Sequence, residues 1–352
     1  MSKLRRDPLT GRWVVVPERN NWPGASASGL VKPLANTENR QIDGFCLFCP
    51  GNEDKTLPEI FALRSFGPIN GSGWKVRVIP GDPPTFRIEG DMDREGEGPY
   101  DKMQGIGAHE VIIGPDHWDP FHRASFEQAR VILSVAKDRM IDLERDPRFR
   151  YLLLVEDCGF DAGALLKHPH LELIAFPITP LEAVLELQAT KAHYEKKARC
   201  LLCDIANFES LESKDSSRVV VESPRLIAFA PFASRFPYEI MIMPKSVTHA
   251  AYFTEIDVFQ LNDLVQILQI VLKKLESVLG YLSYNLVLHM APFFRHPERL
   301  NNGETIRKDY HWHIHIFPRN FIRIDGFELG TQFFINPIPP EIAAEKLRET
   351  TV

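Results

Sequence analysis

The chain has 352 residues, of which 44% are hydrophobic and 25% are charged, and its net charge is −6 at pH 7. This composition is typical of a globular protein of about two domains, and the negative charge excludes a general nucleic-acid binder. No apolar run reaches the ~18 residues that a membrane span needs, and no apolar segment follows the basic N-terminus. We therefore expect a cytoplasmic protein without a signal peptide.

Hydrophobic periodicity predicts both strands and helices in the first half of the chain. The apolar runs that are typical of strands cover residues 11–17, 74–79, 110–113 and 150–155. Ser125 is a suitable N-cap for a helix that runs to about residue 143. Pro180 then opens a second helix, which ends near residue 198.

The second half of the chain repeats this order. Strands are predicted over 218–222, 225–230, 238–243 and 285–289. A long helix over 254–279, with Thr254 as its cap, separates the last two, and a final helix begins near Pro340. Because the period is too long for a solenoid, an internal duplication explains the repeat. We expect two halves, 1–180 and 181–352.

Four of the five cysteines lie in two C-x-x-C pairs. In a cytosolic chain such pairs favour metal ligation over disulfides. Two cysteines, a loop histidine and a later strand histidine make a four-ligand set for Zn²⁺, although a buried turn without metal is the alternative for each pair. The sets are Cys46, Cys49, His117 and His168, with His109 as the rival third ligand, and Cys200, Cys203, His249 and His311.

A histidine-proline-histidine stretch lies before an apolar run that reads as a strand. Pro169 restricts the backbone, so His168 and His170 are extended and point to the same face. Two imidazoles on one face suit a metal ligand beside a nucleophile or base. A pair of structural histidines is the alternative.

Several longer motifs occur together along the chain. They are Cys46-x-x-Cys49-Pro-Gly-Asn-Glu, Pro115-Asp116-His117, Gly159…Gly163…His168-Pro169-His170, Cys200-x-x-Cys203-Asp, His289-Met290-Ala291-Pro292-Phe293 and Gly326-Phe327-Glu328. In this combination the chain resembles the galactose-1-phosphate uridylyltransferase family, a branch of the histidine-triad superfamily. The resemblance covers nearly the whole chain.

The resemblance implies an α+β fold of two histidine-triad-like halves, each an antiparallel sheet with packed helices, and a homodimer. It also implies a nucleotidyltransferase of galactose metabolism. Such an enzyme moves a nucleoside monophosphate, UMP being the first expectation, between a sugar nucleotide and a hexose 1-phosphate through a covalent nucleotidyl-histidine.

Carried over by position, the resemblance implies that His170 is the nucleophile and that Glu172 acts beside it. The implied substrate contacts are Arg19, Phe48, Asp157, Gly159, Gly163, Lys167 and Glu328. The implied zinc ligands are Cys46, Cys49, His117 and His168. A second metal, iron or zinc, maps onto Glu186, His289, His313 and His315, with a solvated helix carboxylate as the alternative for Glu186.

The chain departs from the family pattern at several positions. Glu172 stands where the family has glutamine, and an ionised carboxylate accepts hydrogen bonds but donates none. Gly81-Asp82-Pro83 replaces the family's Asn-x-Phe nucleoside contact, Leu165 stands where serine is common, and Asp157 where asparagine is usual. These departures leave the base and the sugar open.

Two other functions stay open on the sequence. His311-x-His313-x-His315 is an alternating triad like that of single-domain nucleotide hydrolases, in which the middle histidine, here His313, is the nucleophile. That arrangement favours a phosphorylase or hydrolase acting on a sugar nucleotide or a dinucleoside polyphosphate. The third interpretation is a catalytically weakened member that binds nucleotides.

Overall fold

The computed structural model describes residues 2–17, 45–117, 120–211, 217–293, 305–320 and 326–352. The helices are α1 (Phe126–Leu143), α2 (Leu181–Lys197), α3 (Leu201–Leu211), α4 (Val258–Leu279), α5 (Ile306–Asp309), α6 (Gly326–Thr331) and α7 (Pro340–Glu349). None of these helices in the described ranges combines the length and the apolar character that crossing a membrane requires.

The strands of the first half are β1 (Ser2–Arg6), β2 (Trp13–Pro17), β3 (Phe61–Arg64), β4 (Trp74–Pro80), β5 (Glu95–Glu97), β6 (Tyr100–Lys102), β7 (Ala108–Ile113), β8 (Tyr151–Cys158) and β9 (His170–Phe176). Those of the second half are β10 (Val219–Glu222), β11 (Leu226–Phe229), β12 (Ile240–Pro244), β13 (Tyr284–His289), β14 (His313–Pro318) and β15 (Phe334–Ile335).

Ten of these strands form one sheet in the order β10-β11-β12-β14-β13-β8-β9-β7-β4-β3. Every neighbouring pair in this sheet is antiparallel. A separate three-stranded sheet has the order β1-β2-β15, and β5 pairs with β6. The predicted α+β class with antiparallel sheets is confirmed.

Each half contributes five adjacent strands to the large sheet in the same internal order. From edge to centre these are β3-β4-β7-β9-β8 in the first half and β10-β11-β12-β14-β13 in the second. The halves meet where β8 pairs with β13, with Leu154 opposite Leu288. In each half alone, one edge of β8 or of β13 would have unpaired backbone N–H and C=O groups. The two expected sheets therefore join into one. An internal duplication predicts this order; the boundary between 180 and 181 stays a prediction.

Helices α1 and α4 pack against each other and cover one face of the sheet. Apolar residues from both halves form one hydrophobic core beneath them. Along β9 the side chains alternate, so Leu171 and Leu173 enter this core while His170 and Glu172 lie on the opposite face. The pleat of β9 thus places the proposed nucleophile on the face away from α1.

The helix starts test the capping predictions. Ser125 caps α1 as predicted, since its side chain accepts from the N–H of Gln128 at 3.1 Å. Thr254 is wrong as the cap of α4, because Phe253–Glu255 form a separate 3₁₀ turn and Asp257 accepts from the N–H of Gln260 at 2.7 Å. Helix α3 was not predicted, and it begins directly after Cys200, within the second cysteine pair.

Candidate active site and metal centres

Two cysteines and two histidines from separate parts of the first half converge on one point. Cys46 and Cys49 lie in a turn, His117 follows β7, and His168 precedes β9. Their ligand atoms all lie within 4.8 Å of one another, and the Cys49 Sγ is 3.2 Å from the His117 Nδ1. This is the first set predicted from the sequence, with His117 at the third position.

The chemistry of these four donors fits a zinc-type cation. The Nε2–H of His168 donates to the carbonyl oxygen of Gly114 at 2.8 Å, which leaves its Nδ1 lone pair facing the sulfurs. Burial lowers the pKa of His168 to about 4, so its ring is neutral, and burial raises the pKa of the Cys49 thiol to about 11. A bound cation would stabilise the thiolates that this environment otherwise disfavours.

His170 is the first residue of β9, and contacts on two sides orient its ring. Its Nδ1–H donates to the carbonyl oxygen of His168 at 2.7 Å, so Nε2 carries the lone pair. The Phe48 ring meets the imidazole edge-on, with 5.2 Å between the ring centroids. An oriented imidazole with a lone pair on Nε2 is suited to act as a nucleophile or base.

Glu172 lies beside His170 on the same face of β9. Its Oε1 is 3.7 Å from the His170 Nε2, and its Oε2 is 3.1 Å from the His109 Nε2. The hydrogen bond with His109 and the nearby His170 ring lower the pKa of Glu172 to about 2. Burial lowers the pKa of His170, but the nearby Glu172 carboxylate and the bond to the His168 carbonyl outweigh it and raise the pKa above its ordinary value. Glu172 is therefore ionised, and His109 is its hydrogen-bond partner.

A cleft of about 280 Å³ is lined by His168 and Pro169, the two residues directly before His170. Asp157, Gly159 and Lys167 line it together with the loop between them. The carboxylate of Asp157 accepts from the Asn285 side-chain amide at 2.6 Å, and burial raises the pKa of Asp157. Gly163 has a φ of 92° and closes the 3₁₀ turn in this loop. The structure thus gathers Asp157, Gly159 and Lys167 around one cleft, and Gly163 lies in the loop that borders it.

The other predicted contacts that the structure describes do not line the cleft, and Phe48 lies instead against His170. Arg19 lies outside the residues that the structure describes. Glu328 lies in α6, where its Oε1 accepts from the Ile335 N–H at 3.1 Å, and it is not among the described residues that line the cleft. Its contact with a sugar stays a prediction.

The second half contains an equivalent cysteine-histidine group. Cys200, Cys203, His249 and His311 bring their ligand atoms within 4.8 Å of one another. The Cys203 Sγ lies 3.4 Å from the His249 Nδ1 and 3.1 Å from the His311 Nε2. The Nε2–H of His249 donates to the Arg307 carbonyl oxygen at 2.9 Å, as the ligand His168 does to its own carbonyl partner. The chain therefore carries two similar groups that could hold a metal.

A third group forms between α2 and the central strands. Glu186, His289 and His313 place one ligand atom each within 4.8 Å of the others, and the Glu186 Oε1 accepts from the His289 Nδ1–H at 2.8 Å. The buried His313 Nε2 has no hydrogen-bond partner among the described residues, which suits a metal ligand. His315, the fourth predicted ligand, lies outside this group; its Nδ1 is 3.3 Å from the Glu239 Oε1 and also has no hydrogen-bond partner among the described residues. Glu186 is 1% exposed, so it is not a solvated carboxylate.

Sequence reasoning missed the groups that support these side chains. His109 was considered only as a metal ligand, yet it bonds Glu172. Tyr310 donates from its hydroxyl to the Glu186 Oε2 at 2.7 Å, and its place just before the histidine strand was the available signal. The contact of His109 with Glu172 depends on the register of β7 on β9, for which the sequence carried no signal.

The fold and the site together define an α+β enzyme of the nucleotidyltransferase type, with a histidine held beside a cleft and paired-cysteine groups that could bind metal. An ADP-glucose phosphorylase from Arabidopsis thaliana is 30% identical over 99% of this chain and 93% of its own length. A galactose-1-phosphate uridylyltransferase from Thermotoga maritima is 29% identical over 100% of this chain and 99% of its own. The chain belongs to the galactose-1-phosphate uridylyltransferase family, as the sequence motifs predict.

Solved structures agree with this assignment. A crystal structure of an ADP-glucose phosphorylase from Arabidopsis thaliana with bound ADP-glucose matches 100% of both chains, with a TM-score of 0.79 and 28% sequence identity. No family profile matches the chain. The assignment therefore rests on similarity to individual relatives over the full length.

Proposed function

We propose that this enzyme transfers a nucleoside monophosphate from a sugar nucleotide to an acceptor phosphate through a covalent bond to His170. UMP is the expected nucleotide and a hexose 1-phosphate the expected acceptor, because curated relatives include galactose-1-phosphate uridylyltransferases. The observation that carries the proposal is the His170 ring, whose Nδ1–H bond to the His168 carbonyl leaves the Nε2 lone pair available.

The reaction divides into two displacements at one phosphorus atom. In the first, the His170 Nε2 forms a bond to the α-phosphorus, and the bond from phosphorus to the bridging oxygen breaks. The electron pair leaves with the hexose 1-phosphate, and the Nδ1–H bond to the His168 carbonyl stabilises the cationic ring. In the second, an acceptor phosphate oxygen attacks the phosphorus and the electron pair of the N–P bond returns to Nε2.

The loop that lines the cleft is suited to bind the phosphates. Gly159 and Gly163 both have positive φ values, 84° and 92°, and they turn the chain tightly at the border of the cleft. Lys167 adds a cation at the edge of the same cleft. Phosphoryl transfer depends mainly on such positioning and charge stabilisation. Phe48, edge-on to His170, is the proposed contact for the base.

Cys46, Cys49, His117 and His168 would hold Zn²⁺, given their mixed sulfur and nitrogen donors. Bound there, the cation would cross-link the cysteine turn to the start of β9. Because His168 also accepts the Nδ1–H bond of His170 through its carbonyl, these residues fix the position of the nucleophile. The metal is therefore proposed as structural.

The second half would hold further metal. Cys200, Cys203, His249 and His311 form a second set for zinc. Glu186, His289 and His313 offer nitrogen and oxygen donors that suit iron or zinc, with His315 near enough to join after a ring rotation, since its ring centroid is 5.2 Å from that of His313. We also propose a cytoplasmic homodimer. The exposed apolar side chains Phe61 and Leu63 on the edge strand β3 suit contact with a second copy.

Burial argues against His313 as the nucleophile. Its side chain is 0% exposed, with Glu186 3.5 Å from its Nε2, so a nucleotide has no access to that atom in this conformation. A specific observation does favour a second function on the same His170 site. The curated relative at 30% identity is an ADP-glucose phosphorylase, so phosphate in place of the hexose 1-phosphate, and AMP in place of UMP, is the second candidate.

The test is incubation of the enzyme with a panel of nucleoside diphosphate sugars labelled at the α-phosphorus, followed by isolation of acid-labile protein-bound label. Transfer through His170 predicts label in the wild type and in His313→Ala, but none in His170→Ala. The base and sugar that label best identify the donor. Release of that label by galactose 1-phosphate or by inorganic phosphate then separates transfer from phosphorolysis. No label from any donor would leave only nucleotide binding.

A further inference from the structure

A series of polar contacts runs from a loop across two strands to His170. The Thr85 N–H donates to the His109 Nδ1 at 3.2 Å. Because that nitrogen accepts, the ring proton lies on Nε2, which donates to the Glu172 Oε2 at 3.1 Å. The other carboxylate oxygen, Oε1, lies 3.7 Å from the His170 Nε2. His109 thus decides which oxygen of Glu172 faces the nucleophile.

The loop before β7 both makes space for the His109 ring and orients it. The Gly81 N–H donates to the His109 carbonyl oxygen at 2.9 Å. A β-carbon at position 81 would overlap the Nδ1, Cε1 and Cγ atoms of the ring. Residues 81–85 therefore hold the His109 ring in one orientation. The glycine at position 81, which departs from the family pattern, is the residue that leaves space for this ring.

The second half of the molecule carries the same pair with its members exchanged. In the first half, Glu172 on β9 lies opposite Val111, two positions after His109. In the second half, His315 on β14 lies opposite Met241, two positions after Glu239, which directly precedes β12. In the second half the side chains of His315 and Glu239 are buried, at 10% and 3% exposure. In the first half the Glu172 side chain is 33% exposed. Only the first-half pair can therefore meet a substrate.

We infer that His109 is a positioning residue for nucleotidyl transfer and acts through Glu172; this inference rests on the proposed function of His170. When the His170 Nε2 bonds to phosphorus, the ring keeps its Nδ1–H and becomes cationic. A carboxylate oxygen beside that ring stabilises the charge as it develops. Without its bond to His109, the partly exposed carboxylate is free to turn into solvent.

The experiment measures the rate of nucleotidyl-enzyme formation with labelled UDP-glucose and ADP-glucose, using the donor that labels the wild type. His109→Phe should slow the rate on the order of 10- to 100-fold, with KM changed less than about threefold, because orientation and not binding is lost. His109→Gln should restore most of the rate, since its amide can donate to Glu172. In Glu172→Ala, adding His109→Phe should cause no further loss.

His193→Phe is the matched control. It removes a similar contact, 2.9 Å from the His193 Nε2 to the Asp204 Oδ2, and should leave the rate unchanged. If His109→Phe does not fold, His109→Asn replaces it in both arms, because the shorter side chain cannot reach Glu172. The inference is overturned if His109→Phe keeps the wild-type rate or if His109→Gln does not restore it. It is also overturned if His109→Phe slows the Glu172→Ala enzyme as much as it slows the wild type. Absence of label in the wild type overturns the proposed function instead, and the inference with it.

Discussion

At the scale of single residues, Glu156 is a buried carboxyl on β8, the strand that pairs with β9, which begins at His170. It is 3% exposed and its Oε2 accepts from the Tyr284 hydroxyl at 2.9 Å. Burial raises its pKa to about 7, against the lowering effects of Tyr284 and His170. In the folded protein this carboxyl therefore keeps its proton to a much higher pH than in the unfolded chain.

This difference predicts how stability depends on pH. Between the unfolded pKa of ~4.3 and the folded pKa, the folded state holds a proton that the unfolded state has lost, so stability falls as pH rises and levels off above the folded pKa. Glu156→Gln removes this pH dependence and keeps an oxygen that can accept the hydrogen bond from the Tyr284 hydroxyl. We expect the free energy of unfolding of this variant, measured by urea titration, to exceed that of the wild type by about 3 kcal/mol at pH 8. At pH 4 the two values should be equal.

The exposed Glu345 on α7, changed to glutamine, controls for the loss of one charge. The same stability difference at pH 4 and pH 8 would show that Glu156 does not carry the proton.

Residue types and spacing predicted both cysteine-histidine sets and the positions of His168 and His170 on one face. They did not predict which ring nitrogen of each histidine is available. That depends on carbonyl partners such as Gly114, which the fold brings 2.8 Å from the His168 Nε2. Likewise His109 became a partner of Glu172 only through strand register.

At the scale of elements, the loop after β8 is restricted by its glycines. Gly159 has φ 84° and ψ 158°, and a β-carbon there would lie 2.7 Å from the Tyr281 hydroxyl and the Ser283 Oγ. Gly163 has φ 92° and ψ 5°, with no described atom within 4 Å of an added β-carbon. The two positions therefore differ in space as well as in backbone conformation.

These two glycines form a matched pair of substitutions. Gly163→Ala should cost about 1–2 kcal/mol of unfolding free energy from its positive φ alone. Gly159→Ala should cost at least about 2 kcal/mol more, because steric overlap and a glycine-only conformation add to it. Denaturant titration measures both values, and equal costs would contradict the close approach of Tyr281 and Ser283.

Most strands and the capped start of α1 were predictable because each is encoded by local apolar periodicity and a nearby cap. Helix α3 was not, since it begins between the two cysteines of a pair that also suits a metal-binding turn. The start of α4 was misplaced because Thr254 and Asp257 are both good caps, and only the fold turns Asp257 toward the Gln260 N–H.

At the scale of the whole molecule, the β8–β13 pairing joins the two halves into one sheet over a shared core. The sequence predicted the repeat but not this junction, because an internal duplication alone does not specify which edges meet. The repeat also places one cysteine-histidine group in each half. The number of groups that could hold a metal therefore follows the duplication.

Each cysteine-histidine group should bind about one equivalent of zinc. Elemental analysis of purified protein should show that Cys46→Ser with Cys49→Ser removes one equivalent, and that Cys200→Ser with Cys203→Ser removes another. Each loss should lower the midpoint of thermal unfolding, because metal binding stabilises the folded state. Unchanged zinc content in either double variant would show that the pair is a buried turn.

The central claim is that His170 becomes covalently nucleotidylated. The most direct measurement is mass spectrometry of tryptic peptides after reaction with the sugar nucleotide that labels best, kept above neutral pH. We expect a nucleoside monophosphate on the peptide spanning residues 168–191, located at His170 and absent from His170→Asn. The same mass on the peptide spanning residues 309–319, which holds His313, or its persistence in His170→Asn, would contradict nucleotidylation of His170.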